Sequence, residues 1–555
     1  MTIVLGINTP TFIGSHDSSA TLVKDGKIIA AIQEERMTGV KHQGGIPINS
    51  IKECMKIANL EQKDIDAVAV SWELAPFHAP RYKIPLRYVF KKMIDRKLKE
   101  VLEIKAKTYY VNHHLSHAAS ALFTSGFDKC TNIVMDGRGD VESASIYKEM
   151  ERKKWWGMKE SLGWFYASVT ESLGFKQNDG EGKTMGLACY GKPVYFDWMV
   201  SEVPKIDFLK GWHSEMEIRD GKMFSEYRYT KNDASKIFRD QMETTKKPAI
   251  EKLKEKDRDV WQKYADMAAS AQKYLETKVL ELVDKYVEEK NVCLSGGVFL
   301  NCKLNQRIRE KGFDVFIHPA AGDSGTQTGA ALEICRMLDS QNFKPEKIEH
   351  TYFGTSYSDE EIEEAIKKYG LKYEKLSDPA GTAADLINKS KVVGWFQGRM
   401  EYGPRALGNR SVLADPTDPE MRNRINMFLK KRDWFMPFCP SMLDEAKKEY
   451  LIGAEEAPFM IMTFDVPEEK AKEIPAVVHV DGTVRPQTVK KEVNERYWRL
   501  IKEFEKHKVP LVLNTSFNRH GLPMIMNPEH ALEHLVWKAI DVLIIGDFLV
   551  ERQFV

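Results

Sequence analysis

The sequence has few of the features that mark extracellular, membrane-bound or nucleic-acid-binding proteins. Its 555 residues include seven cysteines, none of them in a CxxC pair, which argues against a disulfide framework and a zinc site. No apolar run reaches the roughly 18 residues that span a membrane, and the opening MTIVLGIN lacks the basic segment that starts a signal peptide. The 82 basic and 81 acidic side chains give a net charge of +1, which disfavours a dedicated nucleic-acid binder. We therefore expect a cytoplasmic protein of at least two domains that binds neither membrane nor nucleic acid.

Two histidines in the stretch VNHHLSHAAS form the first candidate site. His113 and His117 are four residues apart, so on a helix they share one face, and two imidazoles at this spacing can bind one metal ion. Asp323, in GDSGTQTG, is the best candidate for a third ligand, and Asp136, in IVMDGRGD, for a fourth. Taken alone, the pair would favour a turn cap and a surface residue, and Asp323 a helix N-cap. The strand and the Gly-rich segments that accompany the pair favour a metal site instead.

A strand followed by a turn and a hairpin opens the chain. Residues 3–8 predict an apolar strand, and residues 20–34 predict a hairpin around Asp25-Gly26, the way in which nucleotide-binding domains of the actin and sugar-kinase type begin. The turn SHDS between them has groups that can hold a phosphate, and its His16 is placed to act as a general base. The alternative is that this turn is capped by its own side chains and that His16 is solvated. Residues 131–148 repeat the theme around a Gly-containing turn at 137–140.

Further glycine-rich segments predict places where a ligand approaches the backbone. Residues 179–187, DGEGKTMGL, predict a loop, and residues 292–301, VCLSGGVFLN, predict a strand, a Gly-Gly turn and a helix. None of these matches the GxxxxGK[ST] pattern, so no P-loop is predicted. The basic residues within 81–107 predict an amphipathic helix with a solvated face. The charged residues 200–255 predict a variable insertion that serves as a lid or an acceptor-binding segment.

A second domain is predicted after a boundary near residues 345–358. It contains three arginines on one Gly- and Pro-rich loop, QGRMEYGPRALGNRS, which repel one another unless they are paired. Such a set fits around a triphosphate, since guanidinium groups bind phosphate oxygens bidentately. Other segments add basic and hydroxyl or amide groups that favour the same convergent nucleotide site. The candidates are Arg399, Arg405, Arg410, Lys430 or Lys431, Arg485, Ser516 and Asn518.

The whole chain resembles the O-carbamoyltransferases of antibiotic and nodulation-factor biosynthesis. The motifs that carry the resemblance, in order, are SHDSSATLVKDGKIIAAIQEER, HHLSHAAS, DGRGD, GEGKTMGL, LSGGVFLN, GDSGTQTG, GRMEYGPRALGNRS, HVDGTVRPQTV and NTSFN. The resemblance implies an α/β protein with an actin-like ATPase-superfamily (ASKHA) domain over 1–350 and a C-terminal α/β YrdC-like domain, similar to the synthase of threonylcarbamoyl-AMP, over 358–555.

The resemblance also implies the reaction. The C-terminal domain would convert carbamoyl phosphate and ATP, with Mg²⁺, to carbamoyl-adenylate and pyrophosphate. The N-terminal domain would transfer the carbamoyl group to a hydroxyl of a small natural product or sugar and release AMP. The positions that match His113, His117 and Asp323 hold a metal, Fe(II), with a direct or water-mediated contact from Asp136, whereas the residue types alone also suit Zn or Mn.

Site roles follow from the same resemblance together with the chemistry. His16 is the expected base, Asp136 and His114 complete the catalytic set, and Arg399, Arg405, Lys430, Arg485 and Ser516 contact ATP. The groups expected to bind carbamoyl-adenylate are His16, Gly137, Lys183, Gly296, Gly297 and Asn301. Two other functions stay open, a sugar-kinase-like phosphotransferase and a nucleotide-dependent scaffold or tRNA-modification partner. The acceptor and the oligomeric state, for which a homodimer is one option, are not specified by the sequence.

Overall fold

The computed structural model describes residues 1–9, 16–73, 86–208, 212–219, 222–229, 234–244 and 254–552. The chain divides into two compact units. Unit 1 comprises residues 1–38, 42–250 and 259–348, and unit 2 comprises residues 39–41, 251–258 and 349–555. Among the described residues, no helix is both long and apolar enough to cross a membrane.

The first half of unit 1 is a five-stranded sheet in the order β3-β2-β1-β4-β5. Its elements are β1 (Ile3–Asn8), β2 (Ser19–Lys24), β3 (Lys27–Gln33), α1 (Glu34–Thr38), α2 (Ile48–Ala58), β4 (Ala67–Val70), α3 (Leu86–Val101), β5 (Lys107–Tyr110) and α4 (His113–Ser125). The predicted hairpin is confirmed, and its two turn residues, Asp25 and Gly26, both have positive φ as a tight two-residue turn requires.

The second half of unit 1 is another five-stranded sheet, in the order β12-β11-β6-β7-β8. Its elements are β6 (Thr131–Gly139), β7 (Glu142–Lys148), β8 (Glu151–Gly157), α5 (Leu162–Ser172), α6 (Glu181–Ala188), α7 (Phe196–Glu202), β9 (Trp212–Arg219), β10 (Lys222–Tyr229), α8 (Ala234–Gln241), α9 (Arg258–Tyr286), β11 (Asn291–Ser295), α10 (Cys302–Arg309), β12 (Asp314–Ile317) and α11 (Thr326–Leu338).

The two sheets of unit 1 share one topology. In each, the first three strands are antiparallel neighbours, a fourth strand pairs in parallel with the first, and a fifth pairs in parallel with the fourth. Parallel neighbours need crossover connections, which the intervening helices supply. This duplication confirms the predicted α/β class and its actin-like arrangement.

Close packing of α11 brings the starts of two helices together. A Cβ on Gly6 in β1 would lie 2.1 Å from the Gln327 carbonyl oxygen, and one on Gly329 would lie 1.8 Å from the Ser116 carbonyl oxygen. Glycine is therefore required at both positions for α11 to approach β1 and α4. The first residues of α4 and the turn before α11 meet as a result, and these segments carry His113, His117 and Asp323.

Three predictions about unit 1 need correction or refinement. Residues 137–139 belong to β6, whose pairing with β7 shifts register between Met135 and Gly139, so the predicted turn is a strand irregularity. The predicted loop at 179–187 is mostly helix α6, and Gly180, the residue before this helix, fits tightly against Phe175. The charged insertion contains the hairpin β9-β10 and helix α8, and parts of it lie outside the described residues. The amphipathic helix predicted within 81–107 is confirmed as α3, although residues 81–85 are not described.

Unit 2 is built on an eight-stranded mixed sheet in the order β13-β22-β21-β14-β15-β20-β16-β19. Its elements are α12 (Asp359–Tyr369), β13 (Lys372–Lys375), α13 (Pro379–Asn388), β14 (Val393–Phe396), β15 (Arg410–Ala414), α14 (Met421–Ile425), a π-helix (Asn426–Lys430), β16 (Cys439–Leu443), α15 (Lys447–Tyr450), β17 (Phe464–Asp465), α16 (Glu468–Glu473), β18 (Thr483–Val484), β19 (Gln487–Val489), α17 (Glu495–Glu505), β20 (Leu511–Ser516), α18 (Pro528–Val536), β21 (Val542–Ile545) and β22 (Phe548–Glu551).

One edge of the unit 2 sheet collects the ends of five strands. Because β14, β15, β20 and β16 are successive antiparallel neighbours and β19 runs parallel to β16, the end of β14, the start of β15, the end of β20 and the starts of β16 and β19 coincide. The motifs that carry the predicted nucleotide contacts follow or precede these ends. The fold thus gathers segments that are far apart in the sequence.

Candidate metal and nucleotide sites

Four of the predicted site residues meet in a buried cluster in unit 1. His113 and His117 come from the first turns of α4, which Asn112 caps, while Asp136 lies on β6 and Asp323 in the turn before α11. Their ligand atoms all lie within 4.8 Å of one another. The Asp323 side chain makes no N-cap hydrogen bond, and both imidazoles are fully buried, so neither of the non-metal alternatives describes this cluster.

The distances in the cluster suit a shared cation. His113 Nε2 lies 3.5 Å from Asp136 Oδ2 and 3.5 Å from Asp323 Oδ1. His117 Nε2 lies 3.2 Å from Asp136 Oδ2 and 3.8 Å from Asp323 Oδ1. Two imidazole nitrogens and two carboxylate oxygens therefore face one point, as the ligands of a divalent metal do.

A hydrogen bond with Ser71 orients the His113 imidazole so that Nε2 faces the carboxylates of the cluster. His113 Nδ1 lies 3.1 Å from the backbone oxygen of Ser71, which can only accept, so Nδ1 carries a proton and Nε2, once deprotonated, offers its lone pair to a metal. His113 Nε2 is fully buried, and its polar neighbours there are the carboxylates of Asp136 and Asp323. The residues present therefore fit a metal ion, which would take up this lone pair.

The protonation of the cluster shows how strongly its charges interact. Burial acts to lower the pKa of His113, but the charge of Asp323 and hydrogen bonds with Asp136 and Asp323 raise it to about 10. Burial favours the neutral form of Asp136, yet its hydrogen bonds with both imidazoles hold its pKa well below the usual range. Burial lowers the pKa of His117. Without a metal, a proton on His113 balances the carboxylate charge.

His16 lies in the turn before β2 and forms a hydrogen bond with Asp17, the next residue. Its Nδ1 lies 2.8 Å from Asp17 Oδ2, and the side chain is half-buried rather than solvated. Burial opposes the charged imidazole, but the charge and hydrogen bond of Asp17, and then the charges of Asp323 and Asp136, raise the pKa of His16 to about 10. His16 therefore interacts electrostatically with the candidate metal site.

His114 faces away from the other two histidines of its motif. Its Nδ1 lies 2.7 Å from Ser145 Oγ and 3.3 Å from a carboxylate oxygen of Glu142, which also pairs with Arg152. Burial, and then the charges of His113 and His117, hold the pKa of His114 well below its usual value. His114 is thus a neutral, buried imidazole beside the cluster.

The other residues predicted to bind carbamoyl-adenylate have varied surroundings. A Cβ on Gly297 would lie 3.1 Å from Asp136 Oδ1, and Gly296 has positive φ and packs against the Met135 backbone, so this turn borders the cluster. The Gly137 amide donates to Asp136 Oδ1 over 2.6 Å. Lys183 lies on α6, with its ammonium 5.4 Å from the centre of the Phe175 ring.

Asn301 has a structural role in this fold. Its side-chain oxygen accepts from the Leu304 amide and caps α10, and its side chain exchanges hydrogen bonds with Gln272 over 2.8 and 3.0 Å. Since its donor and its acceptor groups are both engaged by the protein, we keep Asn301 out of the ligand contacts proposed below.

In unit 2, Lys430 is buried among polar groups at the collected strand ends. Its Nζ lies 2.5 Å from Ser516 O, 3.1 Å from Ser516 Oγ, 3.0 Å from Asn518 O and 2.8 Å from Asn518 Oδ1. Burial and the charge of Arg432 hold its pKa well below the usual value. Lys431 adopts a left-handed backbone conformation and is exposed. The structure therefore joins Lys430, not Lys431, with Ser516 and Asn518.

Two arginines extend this group of cations. Arg485 donates from Nε and Nη2 to Cys439 Sγ over 3.2 and 3.0 Å. Arg432 donates from Nε to Asn426 Oδ1 over 2.8 Å and from Nη2 to the Pro437 carbonyl oxygen over 3.1 Å. Burial together with the charge of Arg485 lowers the pKa of Arg432 to about 10. Arg432 was absent from the predicted contacts, although the run of Lys430, Lys431 and Arg432 was a signal for it. Lys430, Arg432 and Arg485 are called the cation cluster below.

The three arginines of the QGRMEYGPRALGNRS loop differ from one another. Arg410 is fully buried, stacks on Phe396 and donates to the backbone oxygens of Thr355, Gln397, Gly398, Asn409 and Met526. Arg399 donates to the backbone oxygens of Phe353 and Gly354, and Arg405 is half-buried. Backbone carbonyls thus pair Arg399 and Arg410, two of the three arginines that would otherwise repel one another.

Fold and sites together define a two-unit α/β protein whose actin-like unit holds a candidate metal site. Family models for the carbamoyltransferase N-terminus match residues 4–79 and 81–332, and one for the carbamoyltransferase C-terminus matches residues 384–552. The chain belongs to the carbamoyltransferase family and is a carbamoyltransferase enzyme.

Curated relatives and solved structures give further comparisons. The nodulation protein NolNO of Sinorhizobium fredii is 34% identical over 97% of this chain and 79% of its own length. An uncharacterized protein of Synechocystis is 34% identical over 100% of this chain and 97% of its own length. Component A of (R)-2-hydroxyglutaryl-CoA dehydratase from Acidaminococcus fermentans is 16% identical with a TM-score of 0.34, covering 61% of this chain and 99% of that one. Full-length HypF is 16% identical with a TM-score of 0.30, covering 62% and 47%.

Proposed function

We propose that the protein is an ATP-dependent O-carbamoyltransferase that works through carbamoyl-adenylate. Water hydrolyses carbamoyl phosphate to carbamate and inorganic phosphate, and a carbamate oxygen then attacks the α-phosphorus of ATP and displaces pyrophosphate. An acceptor hydroxyl then attacks the carbamoyl carbon, and the bond from that carbon to the AMP oxygen breaks. The products are a carbamate ester and AMP. The acceptor is a small hydroxylated molecule, such as a sugar or another natural product.

The cation cluster of unit 2 is the observation that carries this proposal. Adenylation builds negative charge on the departing pyrophosphate, and preorganised cations in a water-poor site stabilise that charge. Lys430, Arg432 and Arg485 lie at one sheet edge with Ser516 and Asn518, whose side chains can contact phosphate or ribose. Arg399 and Arg405 precede the same edge and complete the proposed ATP contacts, while Arg410 supports the loop. A kinase confined to the actin-like unit would have no use for this cluster.

Carbamoyl transfer is assigned to unit 1. His113, His117, Asp136 and Asp323 would hold a divalent metal such as Fe(II), which when bound would polarise the carbamoyl carbonyl group. His16 takes the proton of the attacking hydroxyl, and the turn at Gly296 and Gly297 and the amide of Gly137 line the space beside Asp136. Lys183 and the buried His114 are further proposed contacts to the carbamoyl-adenylate. The pKa of His16 is raised by Asp17 and then by Asp323 and Asp136, and a bound metal would offset the last two of these charges and so favour the basic form of His16.

Acceptor-free turnover tests the adenylation half of the proposal. The protein is incubated with carbamoyl phosphate, ATP and Mg²⁺, and pyrophosphate, AMP and ADP are followed by chromatography. We expect pyrophosphate that depends on carbamoyl phosphate and that falls sharply in Arg485→Met. The matched control is Arg499→Met, which removes an exposed guanidinium that pairs with Asp378 on the surface of the same unit.

The nucleotide product separates this function from the alternatives. Formation of ADP without pyrophosphate would contradict adenylation and favour a sugar-kinase-like phosphotransferase. Absence of any nucleotide conversion, with and without a panel of hydroxylated acceptors, would favour a nucleotide-dependent scaffold.

A further inference from the structure

Three side chains, Asp17, His42 and Asp179, form a hydrogen-bonded chain that ends at His16. The reaction described above gives none of these three residues a role. His16 Nδ1 and His42 Nδ1 each lie 2.8 Å from a different oxygen of Asp17. His42 Nε2 in turn lies 3.4 Å from Asp179 Oδ1. Three segments that are distant in the sequence meet here: the turn before β2, the segment after α1 and the start of the DGEGKTMGL motif.

The hydrogen bonds fix which nitrogen of His16 is available. A carboxylate only accepts, so each Nδ1 that faces Asp17 carries a proton. Because the two oxygens of Asp17 serve two different imidazoles, the carboxylate cannot rotate without losing one of them. In the described part of the chain His16 makes no hydrogen bond through Nε2, and this is the nitrogen through which the neutral imidazole would act as a general base.

The segment that carries His42 is itself firmly attached. The His42 amide donates to Glu35 Oε2 over 2.8 Å. Ser18 donates from its amide to the Gln43 carbonyl over 2.9 Å and from Oγ to the Gly45 carbonyl over 2.6 Å. Asp17 adopts a left-handed backbone conformation, with φ of 65°, which costs energy in a non-glycine residue. These contacts hold the turn in a conformation that an isolated turn would not prefer.

The same three residues, His16, Asp17 and His42, are close enough to hold a cation. Their contacts favour a hydrogen-bonded chain instead. If an imidazole bound a metal through Nδ1, it would lose the proton that it donates to Asp17. The Asp17 carboxylate would then lose one hydrogen bond for each imidazole that binds the metal. We therefore treat the group as a positioning chain rather than as a second metal site.

We propose that His42, held between Asp17 and Asp179, is a positioning residue for carbamoyl transfer. It fixes the Asp17 carboxylate, and Asp17 in turn orients His16 so that Nε2 accepts the proton of the attacking hydroxyl. This inference rests on the proposed function and adds no chemical step to it. His42 does not touch the reacting atoms.

The test compares two nucleophiles that differ in their need for a base. Methanol must lose a proton as it attacks, whereas hydroxylamine is reactive as the free amine and depends little on a general base. AMP release from carbamoyl phosphate and ATP is measured with each nucleophile, and pyrophosphate is measured in parallel. In His42→Phe we expect the methanol reaction to slow by roughly 10- to 100-fold, with an unchanged KM for ATP. The hydroxylamine reaction and the formation of pyrophosphate should stay within about twofold.

Two amide variants separate positioning from a general structural role. His42→Asn keeps an N–H near the position of Nδ1 and should recover most of the methanol reaction, whereas His42→Gln places its amide farther out and should recover less. Asp179→Ala, which leaves the bond between His42 and Asp17 in place, should slow the methanol reaction by only a few-fold.

Each outcome of this experiment has a definite meaning. Wild-type reaction of methanol in His42→Phe, or equal loss with both nucleophiles, would overturn the positioning role while leaving the proposed function intact. Absence of pyrophosphate in the wild-type protein would instead contradict the proposed function. If His42→Phe does not fold, the rates of the methanol reaction in His42→Asn and His42→Gln are compared instead. Equal rates in these two variants would overturn the inference.

Discussion

The two units of the protein bury opposite kinds of charge. In unit 1, two carboxylates share a buried space with imidazoles, and they raise the pKa of His113 so that its proton balances their charge. In unit 2, Lys430 and two arginines share the ends of neighbouring strands, and burial together with mutual repulsion lowers the pKa of Lys430 and Arg432. The first site therefore suits a bound cation, and the second suits a bound anion. The difference fits a reaction in which one unit handles phosphates and the other polarises a carbonyl group.

Removal of a cation from unit 2 should have the largest effect. We expect Lys430→Met to reduce pyrophosphate formation by roughly 100- to 1000-fold, since a preorganised charge in a water-poor site stabilises the transition state strongly. Lys431→Met is the matched control, because this neighbouring side chain is exposed, and it should keep near-wild-type activity. The measurement is the rate of pyrophosphate formation that depends on carbamoyl phosphate. Equal losses in the two variants would contradict the assignment of Lys430.

A buried arginine that serves the fold should behave differently from the cation cluster. Arg410→Met leaves several backbone oxygens without a donor, so we expect the free energy of unfolding to fall by about 3 kcal/mol. Denaturant unfolding, followed by fluorescence, gives this difference. Activity per folded molecule should change little. If Arg410→Met has normal stability but no longer forms pyrophosphate, then Arg410 contacts ATP, as the sequence predicted.

Metal binding in unit 1 should release a proton. Since the pKa of His113 is raised to about 10 in the metal-free protein, its imidazole is charged at pH 8 and must lose its proton to bind a metal. Calorimetry of metal binding in buffers with different ionisation enthalpies should show about one proton released per site at pH 8, and less release as the pH rises through about 10. No proton release at pH 8 would show that His113 is neutral before the metal binds.

The same pKa shift sets the sign of the pH dependence of stability. A histidine whose folded-state pKa is raised stabilises the folded protein fully below its ordinary pKa, and that stabilisation is lost as pH rises through the raised value. The free energy of unfolding of the metal-free protein should therefore fall between about pH 7 and pH 10. His113→Ala should flatten this part of the profile, and an unchanged slope would contradict the shift.

Local patterns in the sequence were sufficient for much of the fold. Alternation and the Asp25-Gly26 pair predicted the first hairpin, and the spacing of His113 and His117 predicted one face of a helix. These patterns depend only on residues that are close together in the sequence, so contacts with distant residues did not change the structure that they predict. The meeting of Asp136 and Asp323 with the histidines was expected from chemistry and resemblance, and the duplicated topology supplies the physical reason for it.

Where the structure differs from the prediction, contacts with residues that are distant in the sequence explain the difference. The glycines of residues 179–187 suggested a ligand loop, whereas Gly180 serves close packing against Phe175 at the start of a helix. Arg410 and Asn301 have the polar groups of ligand contacts, but those groups bind the protein itself. His42 gave no local signal, because its relation to His16 exists only once Asp17 lies between them.

Separation of the two half-reactions tests the central claim most directly. His113→Ala is assayed with carbamoyl phosphate and ATP in parallel samples, in which pyrophosphate, carbamoyl-adenylate trapped with hydroxylamine, and AMP released with methanol are measured separately. The account predicts that pyrophosphate and trapped carbamoyl-adenylate persist while the methanol-dependent release of AMP is lost. Simultaneous loss of pyrophosphate in a folded His113→Ala protein would contradict the assignment of activation and transfer to separate units.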